Sequence, residues 1–435
     1  MFTQYQKDIN FLESLSNIPR QNYLLGQGDR SIYIDRMRKF LSLVGSPEKK
    51  LKFIHIAGTS GKGTSVKVLE SLLSDAGLKT GSYTSPFATT SLEKISIGDK
   101  LISPADLHKI LTEKIKPNLD KYLLKFPQDP ISYFETWLAI ALLYFQEQKC
   151  DWVILEAGLG GSHDATNVIV NPKITAITNI GLDHTEILGN TKEKIAHDKA
   201  GIIKKNSLFL TSEKNKKLLK IFETVCKKQQ AWFMPLENLV KNYQIKGAYF
   251  KTPKQSENLN LALNILSVLK ISPTNTNKII NNFGLICRQE IIRKNPAVVL
   301  DGSHNKDKLD NLLKFIGQQK YRHLHLILGF GYHKNYKVAL KKLLRISHDV
   351  YLTRYLITTK RSADLRKLYK DSRQINNKLP LSVYNDPDQA FAAAFKKAQK
   401  TDLILITGSF FLAGELRKKW ISEEYIVNHR KLDKR

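Results

Sequence analysis

One segment has the composition of a loop that binds phosphate: Gly58, Thr59, Ser60, Gly61, Lys62, Gly63 and Thr64. It follows an apolar run at residues 52–57 and opens residues 62–76, where apolar residues recur at helical spacing. Glycines let backbone N–H groups converge on phosphate oxygens, and the first turn of a helix adds partial positive charge. Lys62 would reach the β- and γ-phosphates, and the Thr64 hydroxyl would approach Mg²⁺. The motif predicts a nucleotide site. The spacing between Gly58 and Gly61-Lys62 is shorter than the glycine spacing in the phosphate loops of motor proteins and switch GTPases.

Three polar side chains stand where other predicted strands end: Ser85, Glu156 and His184. In an open parallel sheet, ligands bind beyond the carboxyl ends of the strands. Mg²⁺ prefers oxygen ligands, so Glu156 and Ser85 suit it, whereas a histidine is a less usual partner. We therefore expect a metal near the phosphate loop. Each of these residues, taken alone, is equally compatible with a structural role.

Apolar runs that predict strands alternate with amphipathic helices along the chain. The strands are predicted at 52–57, 152–156, 174–180, 207–211, 297–301, 323–328 and 403–407. This alternation predicts an α/β fold: an N-terminal P-loop domain with a mostly parallel sheet and a smaller, Rossmann-like C-terminal α/β domain. Pro273, several Asn and Thr residues and a basic stretch interrupt the pattern before residue 296. We place the domains at residues 1–291 and 292–435.

The composition excludes several classes of protein. The chain has 435 residues, of which 42% are hydrophobic, and three cysteines, too few for a disulfide framework. No apolar run is long enough to cross a bilayer and no signal peptide is apparent, so we expect a soluble, cytoplasmic protein without membrane partners. The net charge of +29 would attract anions, or it reflects a surface rich in dispersed lysines.

The motifs occur together in an order that resembles the folylpolyglutamate synthase/dihydrofolate synthase family, a branch of the Mur ligases. The resemblance runs from about Leu24 to Arg417. Besides the phosphate loop it rests on Tyr133-Phe134-Glu135, Leu155-Glu156-Ala157-Gly158-Leu159-Gly160-Gly161, Asp164-Ala165-Thr166-Asn167, Asp183-His184, Lys199-Ala200-Gly201-Ile202, Asp301-Gly302-Ser303-His304-Asn305 and Thr407-Gly408-Ser409.

The resemblance implies roles for individual residues. Mg²⁺ would be bound through Thr64, Ser85, Glu156 and His184, and Lys199 resembles a lysine that the family carbamylates to bind a second metal ion. The residues expected to contact ATP outside the loop are Asn258, Arg288 and Asp301. Those expected to contact the other substrates are Tyr133, Asp164, Asp301, His304 and Ser409. Without the resemblance, we would expect Lys199 to be an exposed lysine on a helix, and Asp301 and His304 to cap the start of a helix.

The chain departs from the family pattern at several positions. Phe87 replaces the histidine that usually follows Ser-Pro, Ser162-His163 replaces an arginine position before Asp164, and Cys287 replaces the glycine before Arg288. None of these removes a predicted metal ligand. Ser162 and His163 lie where the family contacts the pteridine, so the departure bears on specificity for the pterin.

The resemblance implies an ATP-dependent ligase that adds L-glutamate to a folate through an acyl phosphate, with release of ADP and phosphate, and it leaves open whether dihydropteroate is an acceptor as well. Lys62, Glu156, His184 and Lys199 are the expected catalytic residues. We expect a monomer without a nucleic-acid partner. Three alternatives stay open: a Mur-type ligase that acts on a non-folate carboxylate, a nucleic-acid-binding NTPase and a non-catalytic nucleotide-binding regulator.

Overall fold

The computed structural model describes residues 1–15, 32–247, 249–332, 336–357 and 361–433. The start of the family resemblance, near Leu24, lies outside the described residues. Contacts between Cα atoms divide the chain into two compact units. The first unit contains Met1–Pro86, Leu92–Phe283 and Val427–Lys431, and the second contains Phe87–Ser91, Gly284–Ile426 and the chain from Leu432. The domain limits 1–291 and 292–435 stay predictions.

The first unit is built on an eight-stranded sheet in the described residues, with the order β4-β3-β2-β5-β1-β6-β7-β8. Strands β2, β5, β1, β6, β7 and β8 run parallel, and β3 and β4 add an antiparallel edge. The strands are β1 (Phe53–Ala57), β2 (Thr80–Tyr83), β3 (Ile95–Ile97), β4 (Lys100–Leu101), β5 (Trp152–Glu156), β6 (Ile174–Ile177), β7 (Leu208–Thr211) and β8 (Trp232–Phe233).

Two helices of the first unit begin with a capping box: Tyr133–Glu147, at Ser132 and Glu135, and Pro253–Leu269, at Thr252 and Gln255. The second of these packs beside Lys62–Asp75, the helix that follows the phosphate loop. The helices are α1 (Phe2–Ser14), α2 (Ile32–Leu43), α3 (Lys62–Asp75), α4 (Pro104–Ile110), α5 (Lys116–Lys125), α6 (Tyr133–Glu147), α7 (Thr185–Leu188), α8 (Lys192–Ala200), α9 (Lys216–Gln229), α10 (Pro253–Leu269) and α11 (Thr276–Asn282).

The second unit has a six-stranded sheet in the described residues, with the order β13-β12-β11-β14-β10-β9. All neighbours are parallel except β9, which pairs antiparallel with β10. The strands are β9 (Glu290–Lys294), β10 (Ala297–Leu300), β11 (Leu324–Leu328), β12 (Asp349–Leu352), β13 (Leu381–Val383) and β14 (Leu403–Thr407). The helices are α12 (Lys306–Gly317), α13 (Lys337–Ile346), α14 (Leu365–Ile375), α15 (Pro387–Lys397), α16 (Phe410–Arg417) and α17 (Glu423–His429).

Two short segments pack against residues that are distant from them in sequence. Within the second unit, Ala88 lies so close to Gly414 that a side chain on this glycine would collide with the Ala88 backbone. Within the first unit, the Arg430 guanidinium donates hydrogen bonds to the Leu101 carbonyl oxygen, at 2.7 Å, and to the Tyr144 hydroxyl, at 3.1 Å. Each unit therefore includes a short segment that residues of the other unit separate, in sequence, from the rest of its own unit.

The predicted fold class is confirmed: both units are α/β, and both sheets are mostly parallel. Predicted strand 174–180 is shorter than expected and ends at Ile177. The residues beyond it turn to the phosphate loop, where the Asn179 carbonyl oxygen accepts a hydrogen bond from the Thr59 N–H at 2.9 Å. In the described part of the chain, no helix combines the length and apolar character needed to cross a membrane.

Candidate active site

The phosphate loop joins β1 to α3, and two of its glycines are required by their surroundings. Gly58 has φ +146° and Gly61 has φ +88°, both in the region that favours glycine. A Cβ atom at Gly61 would lie 2.6 Å from the Asn258 side-chain nitrogen, and one at Gly58 would lie 3.1 Å from the Thr178 Cβ. The loop backbone is therefore packed against two other segments, with Asn258 directly against Gly61.

The end of β6 holds this loop in place. The Thr178 hydroxyl donates to the Ser60 carbonyl oxygen at 2.7 Å, and the Asn179 side chain accepts from the Ser60 N–H at 2.9 Å. The Thr59 hydroxyl donates to the Gly181 carbonyl oxygen at 3.1 Å and accepts from its N–H at 2.9 Å. These bonds fix the loop before any ligand binds, which is the preorganisation that phosphate recognition needs.

Two polar side chains of the loop have defined partners. The Lys62 ammonium donates to the Gly58 carbonyl oxygen at 3.0 Å, so its side chain lies across the loop. The Thr64 hydroxyl lies 3.1 Å from the Tyr249 hydroxyl, and either group can be the donor. Lys62 thus holds its positive charge against the backbone of the loop.

Glu156 lies beside the start of α3. β5 is parallel to β1, so its carboxyl end is next to the loop, and a Cβ at Gly63 would be 3.4 Å from Glu156 Oε2. The same oxygen accepts a hydrogen bond from the Ser85 N–H at 3.2 Å. Ser85 precedes a cis peptide bond to Pro86. The structure therefore brings together Glu156, Ser85 and the phosphate loop, as the strand-end argument predicts.

His184 stands before the short helix α7 with φ +51°. Its Nε2 lies 3.9 Å from Asp183 Oδ1, and its Nδ1 lies 3.9 Å from Glu186 Oε1. Among the described residues, no group of three or more His, Cys, Asp or Glu side chains is close enough to hold a metal ion. An ion here would need hydroxyl, water or phosphate oxygens as well.

Lys199 is buried on α8, not exposed as a helical lysine would usually be. Burial, and after it the nearby positive charge of Lys62, lower the pKa of this ammonium to about 7, against the attraction of Asp198, Asp183 and Asp164. A lysine with this pKa is partly neutral at physiological pH.

Asp164 begins the short 3₁₀ helix Ala165–Val168. Its carboxylate accepts hydrogen bonds from the Leu159 N–H at 2.8 Å and from the Thr166 N–H at 3.0 Å. Burial raises the pKa of this carboxyl group. Tyr133, at the start of α6, has the Lys94 ammonium 4.3 Å from its ring centroid.

Four predicted residues lie in the second unit. Asp301 follows β10, and its two oxygens accept from the Gln289 N–H at 2.9 Å and the Ser303 N–H at 2.8 Å. Burial raises the pKa of this carboxyl group, against the attraction of Arg288. The Arg288 guanidinium lies over the Phe410 ring at 4.7 Å.

The remaining two residues of this unit have local roles in the backbone. His304 Nδ1 lies 2.9 Å from the Gly302 carbonyl oxygen, and the Ser409 hydroxyl caps α16 by accepting from the Phe411 N–H at 3.2 Å. Cys287, one of the departures from the family pattern, is fully buried with φ +50°. A glycine would adopt this conformation with less strain.

Three residues that contact the phosphate loop, Thr178, Asn179 and Tyr249, were not predicted from the sequence. Thr178 and Asn179 directly follow β6, so the same strand-end rule that selected His184 could have identified them. Tyr249 is 185 residues from Thr64 in sequence, and no local pattern connects the two.

Comparisons with known proteins agree with this architecture. Residues 56–272 match the Mur ligase middle domain, and residues 287–410 match the Mur ligase glutamate ligase domain. The chain is 32% identical over 415 residues to the dihydrofolate synthase/folylpolyglutamate synthase of Bacillus subtilis, which covers 89% of this chain and 94% of that protein.

Solved structures give the same result. A folylpolyglutamate synthase from Thermotoga maritima is 26% identical with a TM-score of 0.78, over 96% of this chain and 97% of that chain. The Mycobacterium tuberculosis folylpolyglutamate synthase complexed with ADP shares the fold, with a TM-score of 0.84 at 23% identity, over 97% of this chain and 99% of that chain. On the strength of the Bacillus subtilis relative, this chain belongs to the dihydrofolate synthase/folylpolyglutamate synthase family of Mur ligases.

Proposed function

We propose that this protein is an ATP-dependent ligase that joins L-glutamate to the carboxylate of a folate, and that dihydropteroate is a second acceptor. The observation that carries the proposal is the preorganised phosphate loop with Lys62 across it and Glu156 at its side. Family membership supplies the acceptor class. ATP and glutamate as substrates favour the cytoplasm as the site of the reaction, and we expect a monomer.

The reaction needs an activated acid, because a carboxylate is a poor electrophile. An oxygen of the acceptor carboxylate attacks the γ-phosphorus of ATP, the bond from this phosphorus to the β,γ-bridging oxygen breaks, and ADP leaves. The glutamate amine then attacks the acyl carbon and loses a proton, and phosphate leaves as the amide forms. Lys62 and the loop N–H groups would stabilise the charge on the transferring phosphoryl group, so catalysis is mostly positioning and electrostatics.

The residues beside the loop fit a magnesium ion. Mg²⁺ takes one or two carboxylates with waters and phosphate oxygens, so Glu156 with the hydroxyls of Ser85 and Thr64 is a suitable set. His184 would complete it as a nitrogen ligand. When bound, the ion would neutralise charge on the phosphates.

Lys199 fits the proposed carbamate. Its lowered pKa leaves a fraction of the side chain as the neutral amine, which is the form that adds CO₂. The amine would lose a proton as it adds CO₂, and the resulting carbamate anion would supply oxygen ligands for a second metal ion. Native mass spectrometry of the folded protein at neutral pH in a bicarbonate buffer should detect the mass of one added CO₂, and Lys199→Met should not gain it. An unmodified wild-type protein at saturating bicarbonate and Mg²⁺ would remove the carbamate from the proposal.

The remaining roles follow the family pattern residue by residue. Asn258, which contacts Gly61, would bind the nucleotide together with Arg288 and Asp301. Tyr133 and Asp164 would bind the acceptor. Asp301, His304 and Ser409 would bind on the glutamate side.

The test is an assay of ADP release with glutamate and one acceptor at a time, followed by mass analysis of the product. We expect ADP release that depends on both a folate and glutamate, and a product heavier by one glutamyl group. Dihydropteroate is tested in a parallel reaction. Formation of AMP and pyrophosphate, a product only from a non-folate carboxylate, or ATP hydrolysis stimulated by nucleic acid would refute the proposal.

A further inference from the structure

His55 is a histidine inside the strand that leads to the phosphate loop. It lies in β1 between Ile54 and Ile56, and all of its side chain is buried. Its Nε2 lies 2.9 Å from the Thr166 hydroxyl oxygen. That hydroxyl in turn donates a hydrogen bond to Asp164 Oδ1. Three buried side chains from two distant segments thus form one line of hydrogen bonds that ends on the carboxylate.

The direction of these hydrogen bonds can be derived. Burial, and to a smaller extent the charge of Lys204, lowers the pKa of His55 to about 3, so its ring is neutral and carries one N–H. The Thr166 proton is directed to Asp164, so the hydroxyl oxygen must accept from His55. The proton of the ring is therefore on Nε2.

The other ring nitrogen supports this tautomer. Nδ1 of His55 is buried and has no hydrogen-bond partner among the residues the structure describes. With the proton on Nε2, the unpaired group at Nδ1 is only an acceptor lone pair. With the proton on Nδ1, an N–H would be unpaired at that position, and Nε2 and the Thr166 hydroxyl oxygen would be two acceptors facing each other.

The line of hydrogen bonds fixes the orientation of the Asp164 carboxylate. Oδ1 accepts from both the hydroxyl and the N–H of Thr166, and Oδ2 accepts from the Leu159 N–H at 2.8 Å. An ionised carboxylate has about four acceptor positions. With three of them used by these donors, one acceptor position remains on Oδ2, and the carboxylate cannot rotate without breaking bonds on both oxygens.

We propose that His55, acting through Thr166, is a positioning residue that presents the Asp164 carboxylate to the N–H groups of the pterin ring of the acceptor. This inference rests on the proposed function, in which Asp164 binds the acceptor. His55 touches no substrate. Its contribution is to make the Thr166 hydroxyl a donor toward Asp164, so that the remaining acceptor position keeps a fixed direction.

The kinetic test separates positioning from packing. His55→Leu and Thr166→Val remove the donor with little change in volume, whereas His55→Gln and Thr166→Ser keep a polar group of the required kind. We expect the first two variants to raise the KM for the folate acceptor about tenfold, as the loss of one aligned hydrogen bond implies. The KM for ATP should stay within about twofold of wild type. His55→Gln and Thr166→Ser should recover most of the loss.

Two results would overturn the inference in this assay. One is a His55→Leu variant with an unchanged KM for the acceptor. The other is an equal rise of the KM for ATP and for the acceptor, with no rescue by His55→Gln, which would indicate a purely structural role. Thermal unfolding and ADP binding, measured on the same preparations, identify any variant that has lost its fold.

A spectroscopic test does not depend on activity. In protein labelled with ¹⁵N-histidine, the signals absent from His55→Gln identify His55, and we expect a neutral ring protonated on Nε2. Thr166→Val should shift this Nε2 signal. A proton on Nδ1, or a His55 Nε2 signal that Thr166→Val does not shift, would refute the line of hydrogen bonds even in an active enzyme. Conversely, a protein that ligates no glutamate to any folate but gives the expected spectrum would refute only the proposed function and the acceptor role of Asp164.

Discussion

Gly61 and Gly77 form a matched pair for testing the phosphate loop. Both lie in the first unit with similar positive φ values, +88° and +81°. At Gly77 a Cβ atom would meet nothing within 4 Å, whereas at Gly61 it would collide with the Asn258 side chain. An alanine at either position costs about 1–2 kcal/mol of stability for the left-handed backbone. The difference between the two variants therefore isolates the effect of displacing Asn258.

We expect Gly61→Ala and Gly77→Ala to lower the free energy of unfolding, with Gly61→Ala the more destabilised, and only Gly61→Ala to lose nucleotide affinity. If Asn258 gives up a hydrogen bond to a charged ligand, about 1.5–3 kcal/mol is lost, which corresponds to about a 10- to 150-fold rise in Kd for ADP. The measurement is a titration with ADP followed by calorimetry, together with chemical unfolding of each variant.

The double variant Gly61→Ala/Asn258→Ala provides the internal control. Truncation of Asn258 removes the collision, so adding Gly61→Ala to Asn258→Ala should cost no more stability than Gly77→Ala costs in the wild type. If Gly61→Ala binds ADP as tightly as Gly77→Ala does, the close packing of this loop against Asn258 is irrelevant to the nucleotide and the reasoning fails.

Three further predictions concern charged groups. Lys62→Ala should lower kcat about 10²- to 10³-fold. Lys121 is exposed, so Lys121→Ala should leave kcat unchanged and serves as the control. A wild-type kcat in Lys62→Ala would contradict the assignment of the phosphate loop. In bicarbonate-free buffer, the lowered pKa of Lys199 should make the free energy of unfolding rise with pH between about 7 and 10.5, because the unfolded chain binds the extra proton there. Lys204, whose pKa burial lowers to about 8, adds to this rise, so Lys199→Met should show a smaller rise than wild type in urea titrations, and an equal rise would contradict the lowered pKa of Lys199. Burial would raise the pKa of Asp402, but hydrogen bonds from the Gln399 N–H and from His325 lower it below its usual value. The ionised Asp402 should therefore stabilise the protein above pH 3.8 and lose this effect at lower pH. Asp402→Asn should therefore be less stable than wild type at pH 7 and equal to it in strong acid, and an equal loss at every pH would contradict the ionic explanation.

The sequence predicts the central strands well because of where they lie. β1, β5, β6, β10, β11 and β14 are interior strands buried on both faces, so they appear as short continuous apolar runs. The edge strand β9 contains Glu290, Arg293 and Lys294, and its exposed residues hide it from a search for apolar runs. β4 and β8 are two residues long and carry almost no pattern.

The site is predictable to the extent that topology decides it. Glu156 and Ser85 meet because parallel strands end at one edge of the sheet, and this follows from the order of motifs. The burial of Lys199 and the contact between Thr64 and Tyr249 depend on how distant segments pack. His55 was part of a correctly predicted strand, but no pattern within the strand shows that Thr166 would lie opposite its ring.

The alternation of the chain between the two units has a consequence for dissecting the protein. A fragment that stops at Phe283 would lack Arg430, and with it the guanidinium bonded to Leu101 and Tyr144. A fragment that starts at Gly284 would lack Ala88, and the surface of Gly414 would be left uncovered. No single cleavage point therefore yields two intact halves, and complementation would require grafting residues 87–91 and 427–431 onto the pieces that depend on them.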